Sequence, residues 1–519
     1  MAASPVQISR TGGIGAATLV VALIAAALGA VAWRAEGGYS LGPADWAAVR
    51  FTLWQAFLSA LISVALAVPV ARALARRRFV GRSVLIALLG APFILPVIVA
   101  VLGILAVFGR GGWVNQLLGH WGFAPLSIYG LGGVLLAHVF FNLPLATRLI
   151  LQGWQGIPAE RFRLAAQLGL SPRMVFRVLE WPVLLRVVPG ALALIFVICL
   201  ASFAVALTLG GGPRATTIEL AIYQAFLFDF DLGRAAMLSL MQLGMAGAAA
   251  VLALWLVPQV SLTGGMGRMV RRWDAPTGVL RWVDAALIVL AAAFLLVPLL
   301  SVVLSGLPGI TALSANVYRA AWSSIWVSCV SVCVLLALAL PMAGWIGTSR
   351  RGVVEAAGLL GFAASPLMIG TGWFILIYPF ATPASLALPV TALVNALMAL
   401  PFALRILVPG VRDVVATQGR LSAALGLRGW RLWLWVILPG VRPQVGFAAG
   451  LAAALSMGDL GVIALFADQD HATLPLQMYR LMGAYQMQAA AGAALLLILL
   501  AFGAFWMCDA WGRRGAVSE

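Results

Sequence analysis

The chain is 519 residues long, 63% hydrophobic and 9% charged, with a formal net charge of +17. A mean hydropathy of +1.04 excludes a water-soluble globule and places the chain in a bilayer. Every basic side chain apart from three histidines is arginine, so a phosphate-binding loop of the G-x-x-x-x-G-K-[ST] kind is excluded: any nucleotide that drives this molecule is bound by another polypeptide.

Runs long enough to cross about 30 Å at about 1.5 Å per residue predict twelve membrane spans. They lie at 14–33, 51–72, 83–108, 129–151, 187–209, 235–257, 283–305, 319–346, 355–378, 384–408, 443–466 and 487–510. The first has one arginine before it and small residues near Ala30–Ala32, as a cleaved leader would, but it is too long for a typical signal core and is read as an uncleaved span.

Arginine sets the orientation. Threading twelve spans from a cytoplasmic N-terminus puts 26 arginines inside and 7 outside, with Arg72, Arg76, Arg77, Arg78 and Arg82 in the first inner connection. Arg268, Arg271, Arg272 and Arg281 fall in a central inner linker, and Arg350/Arg351 and Arg513/Arg514 are inside as well. The positive charge is therefore a topology signal, and a nucleic-acid partner is not expected. Both termini are predicted to be cytoplasmic.

Residues 143–182 recur at 400–439, with 13 of 40 positions identical at an offset of 257; roughly four would be expected by chance at ordinary composition. Farther upstream, Ser59, Ala67 and Pro69 match Ser331, Ala339 and Pro341 at an offset of 272, which implies about fifteen residues inserted in the first half. The chain is a tandem duplication. Its halves are predicted at 1–265 and 283–519, with a cytoplasmic linker at 266–282 and the repeated inner segments at about 153–185 and 410–442.

Within each copy a short helix of small residues precedes a glycine, and a proline follows thirteen residues later: Arg163, Leu164, Ala165, then Gly169 and Pro182; Arg420, Leu421, Ser422, then Gly426 and Pro439. The glycine permits a left-handed helix end. An amphipathic stretch then leads to a proline that opens the next span, predicting a helix–turn–helix on the cytoplasmic face. Cys199, Cys329, Cys333 and Cys508 lie in or beside spans and read as small apolar residues. His120, His138 and His471 are scattered, so neither a metal site, a cofactor nor a hydrolase nucleophile is expected.

The repeated pattern resembles the cytoplasmic loop E-A-A-x-x-x-G-x(9)-I-x-L-P of binding-protein-dependent ABC importer permeases. Leu438-Pro439 match its ending, and arginine stands in place of its glutamate in both copies. The resemblance implies a type I ABC importer transmembrane fold: an all-α polytopic membrane protein of two tandem six-helix permease units. It also implies that Arg163, Leu164, Ala165, Gly169, Arg420, Leu421, Ser422 and Gly426 dock two copies of a cytoplasmic ABC ATPase subunit. A second run is similar to thiamine importer permeases: Ser202 to Glu219, with Gly210-Gly211-Gly212-Pro213 inside it, continuing to Phe228-Asp229-Phe230-Asp231. That likeness implies thiamine as substrate, a periplasmic thiamine-binding protein as partner, and the bacterial inner membrane as location.

Thiamine carries a fixed thiazolium charge, for which carboxylates and aromatic faces are the natural lining. Asp459 lies within a predicted span, where a carboxylate costs about 2.5–3.5 kcal/mol to insert; it is either a substrate group or a partner for backbone amides beside Gly458 and Gly461. Asp229 and Asp231 stand near the outer end of the sixth span, where capping that span or meeting the external binding protein competes with substrate contact. Phe203, Tyr223 and Tyr479 supply rings. An iron(III) importer permease would share the duplicated loops. An ion-coupled secondary transporter would need ionisable groups in several spans, whereas Asp459 is nearly alone.

Overall fold

The computed structural model describes residues 10–35, 41–90, 92, 94–212, 215–256, 278–348, 352–362, 364–466 and 471–514, and all regular structure among them is helical. The linker expected at 266–282 lies, up to residue 277, outside the described residues, as do Arg268, Arg271, Arg272, Arg350 and Arg351.

The first half runs α1 (Arg10–Ala35), α2 (Pro43–Arg76), α3 (Arg82–Leu88), α4 (Val97–Phe108), α5 (Trp113–His120), α6 (Leu131–Gln155), α7 (Ala159–Gln167) and α8 (Pro172–Val175). A π turn, Phe176–Glu180, then leads into α9 (Trp181–Leu200), α10 (Ala204–Leu209), α11 (Ile218–Leu227) and α12 (Leu232–Leu256). The second half runs α13 (Val279–Gly309), α14 (Ala315–Thr348), α15 (Val353–Leu359), α16 (Pro366–Ile377), α17 (Ala387–Ala424) and α18 (Gly429–Leu432). A second π turn, Trp433–Ile437, leads to α19 (Leu438–Gly440), α20 (Arg442–Met457), α21 (Gly461–Phe466), α22 (Leu474–Gly483) and α23 (Met487–Arg513).

The duplication is visible helix by helix. α2 and α14 are 34 residues each and start 272 apart, while α8 and α18, the two π turns, and α10 and α21 all stand 257 apart. From α4 and α16 to α6 and α17 the offset falls from 269 to 256. Thirteen of the extra residues of the first half therefore lie in segment 109–130, which carries α5.

Among the described residues eleven helices are long and apolar enough to cross a membrane, against twelve expected. The difference comes from the span expected at 355–378, which is broken between α15 and α16. The span expected at 83–108 is likewise broken between α3 and α4. A proline disfavours helix at the residue before it and lacks an amide of its own. Pro96 is the N-cap of α4; Pro366 opens α16 behind Ser365, whose hydroxyl accepts from Met368 N at 3.2 Å.

Two more expected spans are interrupted, 187–209 at 201–203 and 443–466 at 458–460. The first break contains neither Gly nor Pro. It is sustained by side-chain amides that take up the freed carbonyls, as an apolar surrounding demands: Gln55 Nε2 donates to Cys199 O and Gln242 Nε2 to Leu200 O, both at 2.9 Å. Conversely, the span expected at 384–408 continues unbroken to Ala424. At the matching place the first half has Gly156-Ile157-Pro158 where the second has Asp413-Val414-Val415, and Pro158 caps α7 as a separate helix.

The halves interlock through their first helices. α1 packs on α14, α15 and α16 of the second half, and α13 packs on α2 and α4 of the first. Equivalent glycines make each crossing close: a Cβ on Gly103 would stand 2.5 Å from Pro298 O, and one on Gly372 would stand 2.3 Å from Ala27 O. Small residues let membrane helices approach backbone to backbone, where packing and not solvent exclusion holds them.

Candidate functional site

α7 and α17 end in the same way. Gly169 has φ +62° and Gly426 φ +67°, conformations that side chains with a Cβ resist. Leu170 N donates to Ala165 O and Leu427 N to Ser422 O, both at 3.0 Å; Gly169 N donates to Ala166 O and Gly426 N to Ala423 O, both at 3.1 Å. Each is a Schellman end with glycine at its left-handed position. The first residue after each π turn is followed by a proline, Pro182 in α9 and Pro439 in α19.

The side chains around these ends divide in parallel. Arg163 and Arg420 are exposed, while Ala165 and Ser422 are turned inward at 3% exposure each, Ser422 Oγ donating to Gln418 O at 2.8 Å. The outward surface instead carries paired leucines one turn apart: Leu164 at 55% with Leu168 at 65%, and Leu421 at 63% with Leu425 at 65%. Leu168 and Leu425 were missed in the sequence because the motif leaves those positions open; their i, i+4 spacing from Leu164 and Leu421 was the signal.

Both ends lie at one end of the bundle. Gly13, near the start of α1, abuts Trp345, near the end of α14, and Arg76 and Arg77, at the end of α2, bond Asp284 near the start of α13 at 3.5 and 2.7 Å. The π turns fix the glycine-ended segments to the same place. Arg72 Nε donates to the buried Glu180 at 2.8 Å with its guanidinium 4.4 Å from the Phe176 ring centre; in the second half Trp433 lies over Gly344.

The remaining predicted residues gather at the two broken spans or away from them. Ser202 and Asp459 occupy equivalent positions in the breaks, 257 apart. Ser202 Oγ lies 2.7 Å from His138 Nε2, whose Nδ1 lies 2.9 Å from Ser59 Oγ. Asp459 Oδ1 accepts from Gly461 N at 3.2 Å, while Oδ2 is buried with no partner among the described residues, so the carboxylate both ends a backbone and keeps an oxygen free. Phe203 stands 5.2 Å from the Tyr223 ring and beside Gly461; Tyr223 is within electrostatic reach of Tyr479 and Arg480. The half-helices α11 and α22 that carry Tyr223 and Tyr479 are anchored alike: Ile218 N donates to Thr52 Oγ1 at 2.9 Å and Leu474 N to Ser324 Oγ at 2.8 Å.

Asp229 and Asp231 stand just before α12 and are held by Arg234. Asp231 Oδ1 accepts from Arg234 N at 2.9 Å and so caps α12, and Asp229 pairs at 2.9 Å with Arg234, which also holds the buried Asp45. Each gives one carboxylate oxygen to Arg234. Glu219, by contrast, is 1% exposed beside the second break, bonded by Gln242 at 3.4 Å and within reach of Asp459. The sequence concealed it inside an apolar half-helix too short to count as a span.

No family model matches the chain. Over 541 aligned residues it is 42% identical to the thiamine transport system permease protein ThiP of Escherichia coli (strain K12), covering 98% of this chain and 97% of that one. Against the protein of the same name from Salmonella typhimurium it is 43% identical, with 91% and 90% covered; against that of Brucella abortus (strain 2308) it is 39% identical, with 98% and 96% covered.

Proposed function

The chain belongs to the thiamine transport system permease proteins, and from that membership we propose that it is the membrane subunit of an ATP-driven importer carrying thiamine, with or without its phosphates, from periplasm to cytoplasm. It is a multi-pass membrane protein, in this reading of the bacterial inner membrane with both termini cytoplasmic. The halves 1–265 and 283–519 act as two permease units joined by the linker 266–282. A periplasmic thiamine-binding protein loads the outward-open state, and two copies of a cytoplasmic ATPase engage segments 153–185 and 410–442. Closure of the ATPases rocks the units against each other and opens the path inward; this chain does no chemistry on thiamine or ATP.

One observation carries the reading: two glycine-ended helices, alike in hydrogen bonding, present apolar pairs at the same end of the bundle. Exposed leucines flanked by arginine suit neither lipid nor water alone, and they fit a groove on a partner that must approach closely. Each is tied through a π turn to a long spanning helix, so displacement at the surface is passed to the core. The test is reconstitution with the cognate ATPase and binding protein in proteoliposomes. Thiamine-dependent ATP hydrolysis with thiamine uptake supports the reading, and stimulation by ferric ion instead of thiamine overturns it.

A further inference from the structure

The geometry points to Glu219 and Asp459 as a shared cation site, one carboxylate from each half, that holds the positive charge of the substrate at the middle of the path; it rests on the thiamine-import reading above. Buried carboxylates elsewhere in this molecule have arginine partners: Asp45 has Arg234, Glu180 has Arg72, and Asp284 has Arg76 and Arg77. Among the described residues, neither Glu219 nor Asp459 has one. An uncompensated carboxylate in apolar surroundings is costly, and two in electrostatic reach of each other are more so. The missing counter-charge is the feature a cationic ligand supplies.

Further features independent of the acids point the same way. Among the described residues Asp459 Oδ2 and Gln242 Oε1 are buried acceptors without partners, and Gln242, 0% exposed, sits at Glu219 through its amide nitrogen. Phe203 and Tyr223 present rings 5.2 Å apart beside Gly461. Free acceptors, aromatic faces and paired carboxylates together suit a flat organic cation that also carries N–H donors. The site joins the halves, because α11 of the first packs on α21 of the second, so rocking one half against the other changes the separation of the two carboxylates. Bringing them together holds the cation and parting them releases it.

The experiment uses the full complex in proteoliposomes, with wild type, Glu219→Gln, Asp459→Asn, and the charge-keeping Glu219→Asp and Asp459→Glu. Uptake of labelled thiamine and ATPase activity without thiamine are measured together with thermal unfolding. Expected are an uptake loss of at least tenfold in each neutral variant, a smaller loss in the charge-keeping pair, and substrate-independent ATPase within twofold of wild type in all four. Neutral variants that import thiamine at the wild-type rate overturn the site alone. So does parallel loss of uptake, ATPase and thermal stability in all four, which marks a structural role. Wild-type vesicles that import no thiamine overturn the functional reading and the site with it.

Discussion

Arg72 and Glu180 form an ion pair of 2.8 Å that the second half of the molecule does without. The positions matching Arg72, Phe176 and Glu180 there are Gly344, Trp433 and Ile437, and a Cβ on Gly344 would stand 2.9 Å from Trp433 Nε1. One half ties its long helix to the π turn by charge and a ring under the guanidinium; the other does so by an indole filling the space a side chain would take. The first half buries its carboxylate beside an arginine, and the second has isoleucine there and no carboxylate to bury, two ways of avoiding the cost of a lone buried charge.

Arg72→Gly removes the arginine that pairs with the fully buried Glu180, and breaking a buried pair costs about 3–5 kcal/mol. Adding Glu180→Ile, which copies the second half, removes the buried carboxylate as well and recovers most of that loss. Thermal unfolding of the single and double variants in nanodiscs checks this; a double variant less stable than Arg72→Gly contradicts it.

Asp45 and Asp229 share Arg234 but differ in burial, 1% exposed against a half-exposed side chain. Asp229→Asn removes an exposed pair worth about 0–1 kcal/mol, and thiamine uptake stays within twofold of wild type. Asp45→Asn weakens a buried charged contact between α2 and α12 and lowers the unfolding temperature by several degrees. Uptake and unfolding measured on the same preparations separate the two, and a large uptake loss in Asp229→Asn at unchanged stability would restore it to the substrate path.

Much of this architecture was legible because apolar runs and repeats are statements about single segments. The duplication, the glycine ends at Gly169 and Gly426, and the positions of most spans follow from periodicity and local conformational preference. The breaks at 201–203 and 458–460 were not legible, because what sustains the first is remote: Gln55 and Gln242, 144 and 42 residues from the carbonyls they bond. The pairing of Asp229 and Asp231 with Arg234 was closer to hand, within five residues, yet the link that Arg234 makes on to the buried Asp45 depends on how α12 meets α2. Glu219 was hidden for the same reason: only the packing of α11 against the other half shows that it has no counter-charge among the described residues.

Gly103 and Gly372 test the interlock between halves. Leucine at either place meets a backbone carbonyl now within 2.5 Å of a Cβ, so α4 must withdraw from α13, or α16 from α1. Each single variant lowers stability by about 1–3 kcal/mol, the usual cost of overpacking, and the pair together exceeds either alone because the two crossings are separate. Cysteine crosslinking across both crossings, read in wild type and variants, reports the separation. Unchanged crosslinking in the double variant argues against the close approach.

The paired leucines carry the last prediction. Leu164→Asp with Leu421→Asp places a charge on each exposed apolar surface while leaving the inward Ala165 and Ser422 untouched. Co-purification with the ATPase is lost, and the chain still inserts and unfolds at its normal temperature. Gly169→Val with Gly426→Val reaches the same end by another route. Among the described residues nothing lies within 4 Å of a Cβ at either glycine, so the effect is that of the left-handed conformation, about 1–2 kcal/mol per site, which unwinds the last turn and turns Leu168 and Leu425 away. An aspartate pair that still retains the ATPase removes the leucine surface from the docking assignment. Loss in the valine pair alone would then assign docking to the backbone ends.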